Sequence, residues 1–299
     1  MESQPGQRGT PTKARVLAHI PAELTKGTLR RLGEGIGKVV YASEHWVVRR
    51  ERSPLEIVAL ILLWRALRRL EKFLPGAWGK RLRDRPSRQI RFLRVLVHGA
   101  ILICPRALWY RAHIRDVLRL YHRQSVRGEQ LSQTHLSGSR LVPERVEFPP
   151  ARVRIGGFPG WLMVSDAVER LDLTMHEKMT LLAREGRFQE LEEWLDRFLQ
   201  ARQDGWRKGL FSLDAHLKNY GIIGERIVLL DTGGLTNRWF EVERRLEAEE
   251  AILRPHLHLG LGPMLARHPE IAQRFDRKWK SAVNLDMARN CWPRDQPCA

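Results

Sequence analysis

Two short apolar runs, Tyr220 to Ile223 and Arg226 to Leu230, flank the pair Gly224-Glu225. That pattern predicts a tight β-hairpin. Upstream, Trp46 to Arg50, Arg152 to Ile155 and Trp161 to Val164 read as strands. A glycine-rich turn, Gly33-Glu34-Gly35-Ile36-Gly37, falls between two further β segments within Leu32 to Tyr41. Apolar residues at helical spacing predict helices over 177–184, 189–202, 241–253 and 270–283. Ser53-Pro54-Leu55-Glu56 opens another helix running to about Leu74, with Ser at the N-cap, Pro at the first turn and Glu at N3. Residues 128–150 are polar and rich in proline, and read as a loop. Strands and helices mixed in this way place the chain in the α+β class.

The hairpin brings in the first candidate chemistry. Asp214 and Asn219 lie just before it, and Asp231-Thr232-Gly233 lies just after. A hairpin this short holds its two ends together, so Asp214, Asn219 and Asp231 converge. Two carboxylates and an amide form a hard-oxygen site suited to Mg²⁺, whose other ligands are water and phosphate. The glycine turn adds a second element. Without Cβ atoms, Gly33, Gly35 and Gly37 let backbone N–H groups approach phosphate oxygens, and Lys38 adds a cation there.

Asp214-x-x-x-x-Asn219 followed by Asp231-Thr232-Gly233 resembles the catalytic and metal loops of the protein-kinase-like superfamily. The form Asp214-x-His216-x-Lys218-Asn219 is closer to atypical bacterial kinases, of the HipA and aminoglycoside-phosphotransferase types. The resemblance implies a two-lobed kinase-like fold with ATP and Mg²⁺ bound between the glycine turn and Asp231. It implies that Asp214 acts on the acceptor hydroxyl and that Asn219 and Asp231 hold the metal. On the strand Trp46 to Arg50, it puts Arg49 in the place of the family's phosphate-pairing lysine. A glutamate of the following helix, Glu56 or Glu71, then pairs with that cation. Ser165 and Ala167, after the strand ending at Val164, take the adenine-contacting hinge. The departures are Ser212-Leu213 for His-Arg, Thr232 for Phe, and Arg49 for Lys.

The lobes expected on this basis are 15–164 and 165–289, with a disordered leader over 1–14 and a loose tail over 290–299. Phosphoryl transfer from ATP to a hydroxyl is the expected function. A pseudokinase that only binds a nucleotide or a partner is the alternative from the same residues, favoured by Arg49 and Ser212.

Charge changes the picture of partners. The 299 residues hold 52 Lys+Arg against 34 Asp+Glu, a formal charge of +18. Residues 64–127 alone carry 17 Lys+Arg against 3 Asp+Glu. Arg65, Arg68 and Arg69, then Arg88, Arg91 and Arg94, recur at helical spacing among apolar residues. This reads as a basic helical insertion that contacts an anionic membrane surface or nucleic acid, or whose arginines are merely solvated. A nucleic-acid-binding regulator is therefore a third function class. Cys104, Cys291 and Cys298 are odd in number and lack metal spacing, which argues against a disulfide framework. With no signal segment and no long apolar run, the expected location is the cytoplasm, with a peripheral position at the membrane as its variant.

Overall fold

The computed structural model describes residues 15–34, 38–52, 56–57, 123–124, 126–136, 138–157 and 160–293. Most of the basic insertion, the glycines at 35 and 37, and Glu71 lie outside these residues. The chain is α+β and divides into two compact units. One comprises residues 20–122 and 150–167; the other comprises 1–19, 123–149 and 168–299. Residues 123–149, expected in the N-terminal lobe, group instead with the C-terminal residues.

The first unit is built on β2 (Thr28–Glu34), β3 (Lys38–Ala42) and β4 (Trp46–Glu51), joined to most of β5 (Arg145–Ile155) and β6 (Trp161–Glu169). β2–β3 and β3–β4 are antiparallel, while β2–β5 is parallel. The sheet order is β1-β5-β2-β3-β4-β6, with β1 at Arg15–Val16. Because β5 also pairs with β6, five of the strands close on themselves. Alternation decides what is inside. Leu29, Val39, Tyr41, Val48, Val153 and Ile155 are buried, and apart from the buried Ala42 their neighbours along each strand are more exposed. A short helix, α1 (Ala22–Thr25), buries Leu24 before β2.

β5 and β6 correct two expectations. Residues 128–150 are not a loop: 126–135 are helical, and β5 already begins at Arg145. Pro149 and Pro150 are both exposed within β5, and the division between units falls between them. The strand ending at Val164 in the sequence reading continues to Glu169. Ser165 points outward on that strand and does not break it.

The second unit packs helices against the small sheet β10-β9-β7, formed by Arg226–Leu229, Tyr220–Ile223 and Leu173–Thr174. The hairpin has the expected turn, with Gly224 at φ +58°, where glycine carries no side-chain penalty. α2 (Met175–Arg184) starts at Thr174, whose side chain and that of Glu177 cap one another's backbone. α3 (Phe188–Arg207) carries Leu191, Trp194, Leu195, Phe198, Leu199 and Trp206 on one buried stripe. α4 (Trp239–Glu250), two single turns and α7 (Pro269–Ala282) follow. α8 (Leu285–Cys291), capped by Asn284, runs two residues into the segment expected as a loose tail. Among the described residues no helix is long and apolar enough to cross a membrane.

A charged pair ties this core together. Arg202 on α3 and Glu249 on α4 meet at 3.1 Å with side chains 2% and 3% exposed. Arg245 donates to the same carboxylate at 3.1 Å. The Arg202 guanidinium also lies over Trp279 at 5.0 Å and over Trp206 and Phe211 at 5.6 Å. Removing one partner strands the other charge in low dielectric. Glu249→Ala is therefore expected to cost about 3–5 kcal/mol, read by denaturant unfolding. Arg202→Met with Glu249→Leu is expected to recover most of that loss; a double variant no more stable than Glu249→Ala would contradict this account.

Candidate active site

The second unit assembles the Asp214, Asn219 and Asp231 segment through main-chain bonds. β8 (Phe211–Ser212) pairs antiparallel with β11 (Leu235–Thr236), and Leu213 N–H donates to the Gly234 carbonyl at 2.8 Å. That fixes Asp214 beside the loop following Asp231. A 3₁₀ turn, Leu217–Asn219, leads into the hairpin, and Leu230 N–H donates to the Asn219 carbonyl at 2.8 Å. The hairpin therefore fastens Asn219 to the residue just before Asp231.

Side chains then set orientation. The Asp214 carbonyl accepts from Ser212 Oγ and from Asn219 Nδ2, each at 3.1 Å. With its nitrogen committed in this way, Asn219 has its Oδ1 left as an acceptor. Gly233 N–H donates to Asp231 Oδ1 at 2.9 Å, which holds that carboxylate against its own turn. Asp214 and Asp231 are both exposed, and neither is in an ion pair among the described residues. No group of three His, Cys, Asp or Glu side chains suited to a metal occurs among the described residues. The set here is two carboxylates and an amide oxygen. Such donors fit Mg²⁺, which needs few protein ligands and keeps its waters.

Sequence reasoning missed Gly128. A Cβ added there would lie 1.7 Å from the Thr232 carbonyl oxygen and 3.1 Å from the Gly233 Cα. The helical residues 126–135 thus back the Asp231-Thr232-Gly233 turn so closely that no side chain fits. Gly128 gave no local signal, because its reason lies about a hundred residues downstream.

The loop also carries histidines. His216 caps the 3₁₀ turn, its Nδ1 accepting from Lys218 N–H at 3.3 Å, and its ring centroid is 6.3 Å from that of His176. Burial, then the charge of Lys218, pushes both histidines below the ordinary value, although Asp214 opposes the shift at His216.

In the first unit, Glu56 does pair with a cation of β4, but the cation is Arg50. Arg50 Nη1 and Nη2 donate to the Glu56 carboxylate at 3.0 and 3.2 Å. Arg49 is exposed on the opposite face. The strand register explains this: Tyr41 partners Val48, so Val48 and Arg50 share the inner face, and Arg49, opposite Val40, turns outward. Burial lowers the Arg50 pKa, but the hydrogen bonds and charge of Glu56, with a smaller contribution from Tyr41, leave it above the ordinary arginine value. The Arg50 Nε is buried without a hydrogen-bond partner among the described residues.

Of the other expected site residues, Gly33 ends an exposed stretch of β2, beside a register shift. Lys38 opens β3, 4.0 Å from Glu51. Ser165 is exposed within β6 and Ala167 is 1% exposed, so neither lies in a loop after the strand.

No family model matches the chain, and no curated protein matches it.

Two outcomes follow from this geometry. Gly128→Ala is expected to cost about 1–3 kcal/mol and to displace the Asp231 turn. Unfolding midpoints unchanged from wild type would show that the contact is relaxed at no cost. For the histidines, the unfolded state binds protons first as pH falls. Stability is therefore full above about 6.5, the ordinary histidine value, and is lost as pH falls through the depressed folded values. The pH dependence of the thermal midpoint checks this, and His176→Gln with His216→Asn should flatten it; an unflattened slope would assign the loss to other groups.

Proposed function

We propose that this protein is an ATP-dependent phosphotransferase with a kinase-like, two-lobed fold, acting on a hydroxyl acceptor. The observation that carries the reading is the fastening of Asp214, Asn219 and Asp231 to one another through a four-residue-per-strand hairpin. In phosphoryl transfer the protein mostly positions and neutralises, and these groups suit that task. Asp214 is exposed and held through its backbone, as a group that orients an acceptor hydroxyl and accepts its proton must be. Asn219 Oδ1 and Asp231 would hold Mg²⁺, which supplies neutralisation of charge on the phosphate oxygens.

The first unit supplies the second part of the reading. Arg50, held by Glu56 and with its Nε without a partner among the described residues, takes the role expected of Arg49: a fixed cation for phosphate oxygens. A planar guanidinium in place of an ammonium also favours a second reading, a nucleotide-binding module without turnover. Binding and turnover measured on the same protein separate the two.

Mg²⁺-dependent ATP turnover by the full chain tests the proposal. Asp231→Asn should remove turnover, since a charged metal ligand is lost. Asp214→Asn should lower kcat while leaving ATP affinity intact. Arg50→Ala should weaken ATP binding by about 1–3 kcal/mol, with Arg49→Ala unchanged. ATP binding without turnover supports the module. Absence of ATP binding in the wild type refutes both readings.

A further inference from the structure

The outward face of the first unit's sheet combines cations with apolar side chains, and the phosphotransferase reading uses neither. Arg152 and Arg154 alternate with buried Val153 and Ile155 on β5, so both point outward. Thr28 partners Arg154, which puts Arg30, two residues along β2, on the same face. Ala42 partners both Arg30 and Val47, so Arg49 on β4 also points outward, two strands further round the closed sheet. All four arginines are exposed, and none has an acidic partner among the described residues. On the same strands, Glu51 is matched by Lys38.

The apolar component is equally exposed. Trp161 and Met163 on β6 are 42% and 52% exposed, and Leu32, at the β2 irregularity beside Arg30, is 47% exposed. The Arg152 guanidinium lies 4.4 Å from the Trp161 ring centroid, so cation and indole are joined in one surface feature. An exposed Trp and Met beside arginines that lack an acidic partner among the described residues is a costly surface in water.

We propose that the β5–β6 part of this outward surface docks onto a bilayer surface bearing anionic lipid headgroups. The Arg152 and Arg154 guanidiniums complement headgroup phosphates, while Trp161 and Met163 enter the interfacial layer, where indole in particular is favoured. The chain's own basic segment cannot neutralise the face, since residues 64–127 carry the same sign in excess. Single-stranded nucleic acid fits less well. Stacking platforms use several aromatic rings, whereas this face has Trp161 alone among the described residues, with Arg152 over its ring.

Co-sedimentation of the full chain with vesicles tests the assignment, using phosphatidylcholine alone and phosphatidylcholine mixed with phosphatidylglycerol across a salt series. The wild type should bind the anionic vesicles and not the neutral ones. Trp161→Ser with Met163→Ser should lose at least tenfold in partitioning, most clearly at high salt, where apolar insertion remains. Arg152→Gln with Arg154→Gln should lose at least tenfold at low salt and weaken the salt dependence. These side chains are exposed, so both variants should unfold at the wild-type temperature. Residues 64–127 are intact in both, which isolates the sheet face from them. Wild-type partitioning by both variants, or no binding of the wild type to anionic vesicles, would overturn the proposal. So would loss of single-stranded oligonucleotide binding in the Trp161 variant with vesicle binding preserved.

Discussion

The hydrogen bond from Leu230 N–H to the Asn219 carbonyl is the constraint on which the candidate site depends. It closes the hairpin at the end where Asn219 and Asp231 lie, so two turns that would wander separately are held as one. The Leu213 to Gly234 bond does the same for the segment before Asp214. Side chains then need only small adjustments, and they make them through the Asp214 carbonyl, which takes both Ser212 and Asn219. The hydrophobic residues of the hairpin, with Tyr220 edge-on to Phe198 at 4.7 Å, anchor this platform to α3. α3 is in turn bound to α4 by Arg202 and Glu249. Site geometry and core stability are thus coupled through one helix.

That platform was legible in the sequence because its determinants are local. Gly224-Glu225 between two apolar runs admits one reading, and the acids lie next to the run ends. The α3 stripe was legible for the same reason, although the helix extends through Gly205, past the expected end at Arg202. Packing of Trp206 and its stacking on Phe211 at 5.8 Å outweigh the glycine's modest helix cost.

What stayed hidden depends on register or distant contact. Arg49 and Arg50 are equivalent to any local pattern; only the pairing of β4 with β3 turns one inward. Gly128 is an ordinary glycine until Thr232 is placed against it. The Ser165-Asp166 pair read as a strand end because it is polar, yet a strand with one solvated face accommodates polar residues there. Pro149-Pro150 read as loop, but both prolines are exposed at the point where β5 passes between units.

Binding of Mn²⁺, a paramagnetic stand-in for Mg²⁺, tests the proposed role of Asn219 and Asp231 most directly. The electron paramagnetic resonance signal of free Mn²⁺ is followed as the full chain is added, with and without ATP. A site of two weak oxygen donors completed by phosphate predicts that the protein depletes the free signal beyond what ATP alone does. It also predicts that Asp231→Asn abolishes the extra depletion. Equal free Mn²⁺ with and without protein, at saturating ATP, would contradict the account.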